Sequence, residues 1–110
     1  MSINIESIFS DLKAGVVDLA KKTVKDFAEE AATDGKQLLF TMKNDLSRWI
    51  QLLADKKLTK MEFETLLIGQ KDLLEMSCLT QAGLALARID EFKMGVLNMI
   101  VNTVTGLIPV

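Results

Sequence analysis

The sequence contains no histidine and no tyrosine among its 110 residues, and it has one cysteine and one proline. Without histidine, the commonest general base and the commonest ligand for transition metals are both missing. Di-metal bundles, zinc sites that combine cysteine with histidine, and nucleophiles activated by histidine are therefore excluded. Phosphate-binding and calcium-binding loop motifs are missing too. We expect no enzymatic activity, and so no catalytic residue, no cofactor site and no metal site.

The cysteine content and the first residues of the sequence favour a cytoplasmic location. Cys78 has no second cysteine with which to form a disulfide in the chain, so nothing requires an oxidising compartment. Glu6 and Asp11 interrupt the apolar residues near the start, which is not the pattern of a secretory signal. No histidine or basic residue adjoins Cys78, which predicts a buried structural thiol rather than a nucleophile.

Composition predicts one globular, all-α domain. Apolar residues make up 49% of the chain and charged residues 25%, which is typical of globular proteins. The length suits a single domain, residues 1–110. With six glycines and one proline the chain has few of the turns that a strand-rich fold needs. A formal net charge of −2 also argues against binding to nucleic acid.

The first half of the chain predicts one long helix. Apolar residues recur every three or four positions over about 5–54, which is the pattern of one buried helical face. Asp34 could cap a new helix, and Gly35 weakens a continuous one. Because the apolar period passes through both residues without a shift in phase, we expect the helix to continue. A break or kink at 33–35 is the alternative.

Residues 55–59 predict a reversal of the chain. Thr59 with Glu62 three residues later forms a capping-box pattern, which opens a helix. The apolar period then continues over about 60–104 without a proline, so we expect a continuous helix; a break near Gly83 or Gly95 is the alternative. The sequence therefore predicts a long antiparallel hairpin of two helices, each roughly 70 Å long at 1.5 Å per residue.

The second predicted helix is apolar on two nearly opposite sides, which a single partner helix cannot bury. The missing surface would come from a second copy, so we expect a homodimer or higher homo-oligomer that resembles a four-helix bundle. Small residues such as Gly83 would let two helices approach closely. The predicted oligomer interface consists of Leu79, Gly83, Leu86, Ile89, Met94, Leu97, Val101 and Val104.

The segment 94–110 contains no charged residue. It is shorter than the about 20 apolar residues that usually span a bilayer. Its amides Asn98 and Asn102 would be costly in lipid. We expect this segment to close the core of the oligomer, with Gly106 and Pro109 ending the helix, rather than to enter a membrane.

Two classes of function follow from these patterns. The first is a non-enzymatic helical protein that acts through homo-oligomerisation and protein–protein interaction, as an adaptor, a scaffold or a small regulatory partner. Its partner would be a second copy or another helical protein. The alternative is a membrane-associated or membrane-active helical protein that uses the segment 94–110. We favour the first class because of the cost of the two amides in lipid.

Overall fold

The computed structural model describes residues 3–108, which form six α-helices and two short 3₁₀ helices without a strand. The α-helices are α1 (Ile5–Thr23), α2 (Ala28–Thr41), α3 (Lys43–Ala54), α4 (Lys60–Ile68), α5 (Ser77–Ala82) and α6 (Leu86–Leu107). The 3₁₀ helices are Lys25–Phe27 and Lys71–Leu73. The all-α prediction is confirmed, but the two-helix hairpin is wrong. The longest dimension is 43 Å and the radius of gyration is 13.8 Å, which two helices of roughly 70 Å would exceed.

The predicted helix over 5–54 is interrupted at Val24 and again at Met42. Val24 is buried and leaves the helical conformation, with φ −134° and ψ 58°, and the first 3₁₀ helix then joins α1 to α2. This connection occupies about one helical turn of sequence, so the apolar period resumes in phase and conceals the reversal. The alternative break at 33–35 is also wrong, because those residues lie inside α2.

The predicted helix over 60–104 is also wrong, because the chain leaves the helix after Ile68 and again at Gly83. Gly83 has a φ of +90°, a left-handed conformation that glycine adopts at little cost. Its N–H donates to the Thr80 carbonyl, and the Leu84 N–H donates to the Leu79 carbonyl. This pair of hydrogen bonds is the Schellman motif that ends many helices. Gly83 therefore ends α5 and does not lie at a helix crossing.

The predicted reversal at 55–59 is confirmed. The Glu62 N–H donates to Thr59 Oγ1 at 3.1 Å, and the Thr59 N–H donates to Glu62 Oε1 at 2.9 Å, so the capping box is complete. These hydrogen bonds from the Thr59 backbone and side chain lower the pKa of the Glu62 carboxyl. At the start of the turn Lys56 takes a left-handed φ of 60°.

The longest helix, α6, is the centre of the core. It packs against α1, α2, α4 and α5, so its apolar sides are covered by other helices of the same chain. The burial that the sequence pattern assigned to a second copy is therefore supplied within one copy. The buried residues of α6 are Ile89, Phe92, Val96, Leu97, Ile100, Val101 and Val104.

Helices α1 and α2 contact one another more extensively than any other pair of elements. Gly35 on α2 faces Val16 on α1, and both residues are buried. A Cβ atom added at Gly35 would overlap Val16 Cγ1. The absence of a side chain at this position therefore sets how closely the two helices approach.

We predict that Gly35→Ala destabilises the protein although alanine is the better helix former. Overpacking of a core costs about 1–3 kcal/mol, and the overlap with Val16 places this substitution near the upper end. That cost exceeds the about 1 kcal/mol that alanine gains over glycine inside a helix. Urea unfolding followed by circular dichroism measures the change in the free energy of unfolding.

Gly106→Ala is the matched control, because a Cβ added at Gly106 meets nothing within 4 Å. It lies in the last turn of α6, where we expect a gain of about 0.5 kcal/mol from helix propensity alone. If both substitutions stabilise the protein, α1 and α2 do not pack as closely at Gly35 as described.

Candidate functional site

Asp34, on α2, is the one buried charged residue among residues 3–108, with 3% of its surface exposed. Its Oδ1 accepts a hydrogen bond from the Cys78 N–H at 3.0 Å, and its Oδ2 accepts one from the Leu79 N–H at 2.8 Å. These N–H groups lie in the first turn of α5, where a helix has no internal acceptors for them. Because α5 has no capping side chain of its own, Asp34 caps it from a different part of the chain.

The position of Asp34 indicates a structural role. Each oxygen of its carboxylate already accepts a backbone hydrogen bond, and a general base needs an oxygen that faces its substrate. The sequence pattern suggested that Asp34 could cap a helix beginning beside it, but the helix that it caps begins more than forty residues later. Within residues 3–108, no group of three Cys, Asp or Glu side chains lies close enough together to hold a metal ion.

Cys78 is half-buried beside this carboxylate. A hydrogen bond with Asp34 raises the pKa of the Cys78 thiol, and partial burial and the negative charges of Asp34 and Glu30 raise it further. The thiol is therefore a weaker nucleophile at neutral pH than an ordinary cysteine. The predicted burial of Cys78 is thus only partial, and its structural role stays a prediction.

The fold buries most of the residues predicted for the oligomer interface. Those that are buried are already covered by other helices of the same chain, so in this fold they are not available to a second copy. Leu86 differs, because 72% of its surface is exposed. The buried residues are Leu79, Ile89, Leu97, Val101 and Val104; Met94 is half-buried, and Gly83 and Leu86 are exposed.

The described part of the segment 94–110 belongs to the C-terminal half of α6 and ends just beyond it. Asn98 and Asn102 are exposed, while the large apolar residues between and beside them are mostly buried. The helix continues through Gly106, which the sequence predicted would end it, and stops at Leu107. Pro109, the other residue predicted to end the helix, lies outside the described residues. Among residues 3–108, no helix combines the length and the apolar character needed to cross a membrane.

The first exposed apolar surface is a groove of about 640 Å³ between α1 and α2. We call it the Phe40 surface, because the Phe40 ring is 73% exposed there. Ala14 and Val17 add apolar area, and Lys13 and Lys36 are the charged residues in its lining. A smaller adjoining groove of about 230 Å³ shares Lys13 and Phe40. The Phe40 surface is thus apolar at its centre and basic at its edge.

The second exposed apolar surface is a groove of about 400 Å³ between the second 3₁₀ helix, α5 and α6. We call it the Leu86 surface, after its exposed leucine. Asp72, Glu75 and Asp90 line it. Its one lysine, Lys93, donates from Nζ to the Lys71 carbonyl at 3.2 Å. The Leu86 surface is therefore apolar at its centre and acidic at its edge.

Leu86 is among the interface residues that the sequence pattern predicts, but Phe40 is not. The apolar period of the first half includes Leu38, Leu39 and Met42, which are all buried, and Phe40 falls outside it. A large aromatic residue that lies off the buried face of a helix is exposed in the folded chain. That departure from the period was the available signal.

We predict that Asp34→Asn lowers the free energy of unfolding by about 1–3 kcal/mol, because one buried N–H of α5 loses its acceptor. Urea unfolding measures the change. Asp18→Asn, an exposed change of the same chemistry on α1, is the control and should shift stability by less than about 0.5 kcal/mol. Equal effects at the two positions would mean that Asp34 does not hold α5.

We predict that Cys78 reacts slowly with iodoacetamide at neutral pH. Because the pKa of the thiol is raised, the thiolate fraction at a given pH is smaller in the folded chain than in the unfolded chain. The increase of the alkylation rate with pH should therefore occur at a higher pH in the folded chain. The measurement is the pH dependence of the alkylation rate in buffer and in denaturant. A folded-state profile at lower pH than the unfolded one would contradict the contact with Asp34.

The fold thus presents two apolar surfaces whose edges carry opposite charges. The buried carboxylate of Asp34 links α2 to α5. Comparison with protein-family models, with curated proteins and with solved structures finds no match to this chain.

Proposed function

We propose that the protein acts without catalysis, by binding protein surfaces, and that a second copy of the chain is its first partner. The observation that carries this proposal is the Phe40 ring, which is 73% exposed in a groove between two helices. The core of the monomer does not use this ring, because the neighbouring Leu38 and Leu39 already fill the contact that α2 makes with the interior.

The composition of the Phe40 surface supports binding to protein. Interfaces are enriched in aromatic residues at their centre and place charged groups at the rim, where they stay hydrated. Here Phe40 and Val17 provide apolar area, and Lys13 and Lys36 provide charge. Removing a large apolar side chain from water contributes about 1.5–3 kcal/mol, so Phe40 could supply a substantial part of the binding energy.

The shape of the groove supports a helical partner. An amphipathic helix binds by laying its apolar face into a groove between other helices. The Phe40 surface lies between α1 and α2, which pack closely at Gly35. An adaptor or small regulatory role therefore remains our proposal, and a cytoplasmic location remains a prediction from the lone cysteine.

We predict that Phe40→Asp weakens self-association, because it removes the apolar centre of the groove and places a carboxylate between two lysines. Size-exclusion chromatography with light scattering, over a range of protein concentrations, measures the mass. A central aromatic residue at an interface contributes about 2 kcal/mol or more, so the concentration at half-association should rise by about thirtyfold.

Met61→Asp is the matched control for this experiment. Met61 is 78% exposed and apolar like Phe40, but it lies on α4 and lines neither surface. The control variant should associate like the parent. A parent that is monomeric at every concentration would contradict self-association, and equal effects of the two substitutions would show that the Phe40 surface has no special role.

A further inference from the structure

The Phe40 surface and the Leu86 surface carry opposite charges and share no residue. Each has one large apolar side chain that is almost three-quarters exposed: 73% for Phe40 and 72% for Leu86. Two lysines line the first, whereas three acidic residues and one lysine, Lys93, line the second and leave it with an excess of negative charge. The two surfaces are therefore complementary in charge and alike in the apolar group that each presents.

We propose that copies of this chain associate head to tail, with the Phe40 surface of one copy docked on the Leu86 surface of the next. This inference rests on the proposed function and names both sides of the contact. A symmetric contact of Phe40 surface with Phe40 surface would bring lysines against lysines, which opposes binding. The head-to-tail contact brings Lys13 and Lys36 toward Asp72, Glu75 and Asp90.

The apolar centres provide the binding energy, and the charges provide orientation. Exposed ion pairs contribute little by themselves and are screened beyond about 8 Å at physiological ionic strength. Burial of Phe40 against the wall of the Leu86 surface, where Leu74, Met76 and Ile89 lie under the exposed side chains, removes apolar area from water. Association should therefore weaken as salt is added, without disappearing.

A head-to-tail contact leaves one unused surface at each end of a pair. Further copies can add there, so the assembly either closes into a ring or grows as an open chain. Growth beyond two copies distinguishes head-to-tail association from a two-fold dimer, in which both copies use the same surface. It also makes possible an experiment in which each variant keeps one working surface.

The experiment uses Phe40→Asp and Leu86→Lys, each on the full chain. Both substitutions remove an exposed apolar side chain and introduce the charge that the opposing surface repels. Each variant alone should be monomeric at concentrations where the parent associates, with self-association weakened by about thirtyfold or more. An equimolar mixture should form dimers and nothing larger, because the intact Leu86 surface of one variant binds the intact Phe40 surface of the other.

Thermal unfolding of each variant by circular dichroism checks that both are folded. A chain that carries both substitutions has neither surface intact, so mixing it with either single variant is the control for non-specific pairing. Two folded variants whose mixture stays monomeric would overturn the head-to-tail contact. If Phe40→Asp is monomeric while Leu86→Lys associates like the parent, the inference fails but the proposed function stands. If Phe40→Asp associates like the parent, both fail.

Discussion

The close contact of α1 with α2 at Gly35 is the constraint on which the rest of the structure depends. With no side chain at that position, α2 lies directly on Val16 and its orientation is fixed. The neighbouring Asp34 then reaches the first turn of α5, and Phe40 remains at the outer edge of the groove beside α1. Asp34 and Phe40 are about 120° apart around the helix axis, so one helix serves both the core and the surface.

Local signals in the sequence predicted the fold class and one turn. The capping box of Thr59 and Glu62 acts over three residues and needs no tertiary contact, so its pattern identified the start of α4. The reversal at 24–27 could not be found in this way, because its length preserves the apolar period. Gly83 offered a signal, a glycine followed by the apolar Leu84, that fits the Schellman motif as well as a helix interior.

The candidate surfaces were harder to predict, since they depend on what the fold leaves uncovered. The two-sided apolar pattern of the second half was a sound indication of burial on several sides, but it could not say which chain supplies the cover. Once the other helices of the chain cover the buried residues of α6, the apolar residues left exposed are those that lie off the apolar period or at a helix end. Phe40 is the first kind and Leu86, the first residue of α6, is the second.

The capping of α5 by Asp34 also fixes an order of events in folding. A helix of six residues does not persist in water without support, because nucleating a helix is costly. The support for α5 comes from a carboxylate 44 residues before Cys78, so α5 forms after α2 has taken its place. The amide protons of Cys78 and Leu79 are therefore protected only while α5 stays docked on α2. In native-state hydrogen exchange they report when the two halves of the chain separate.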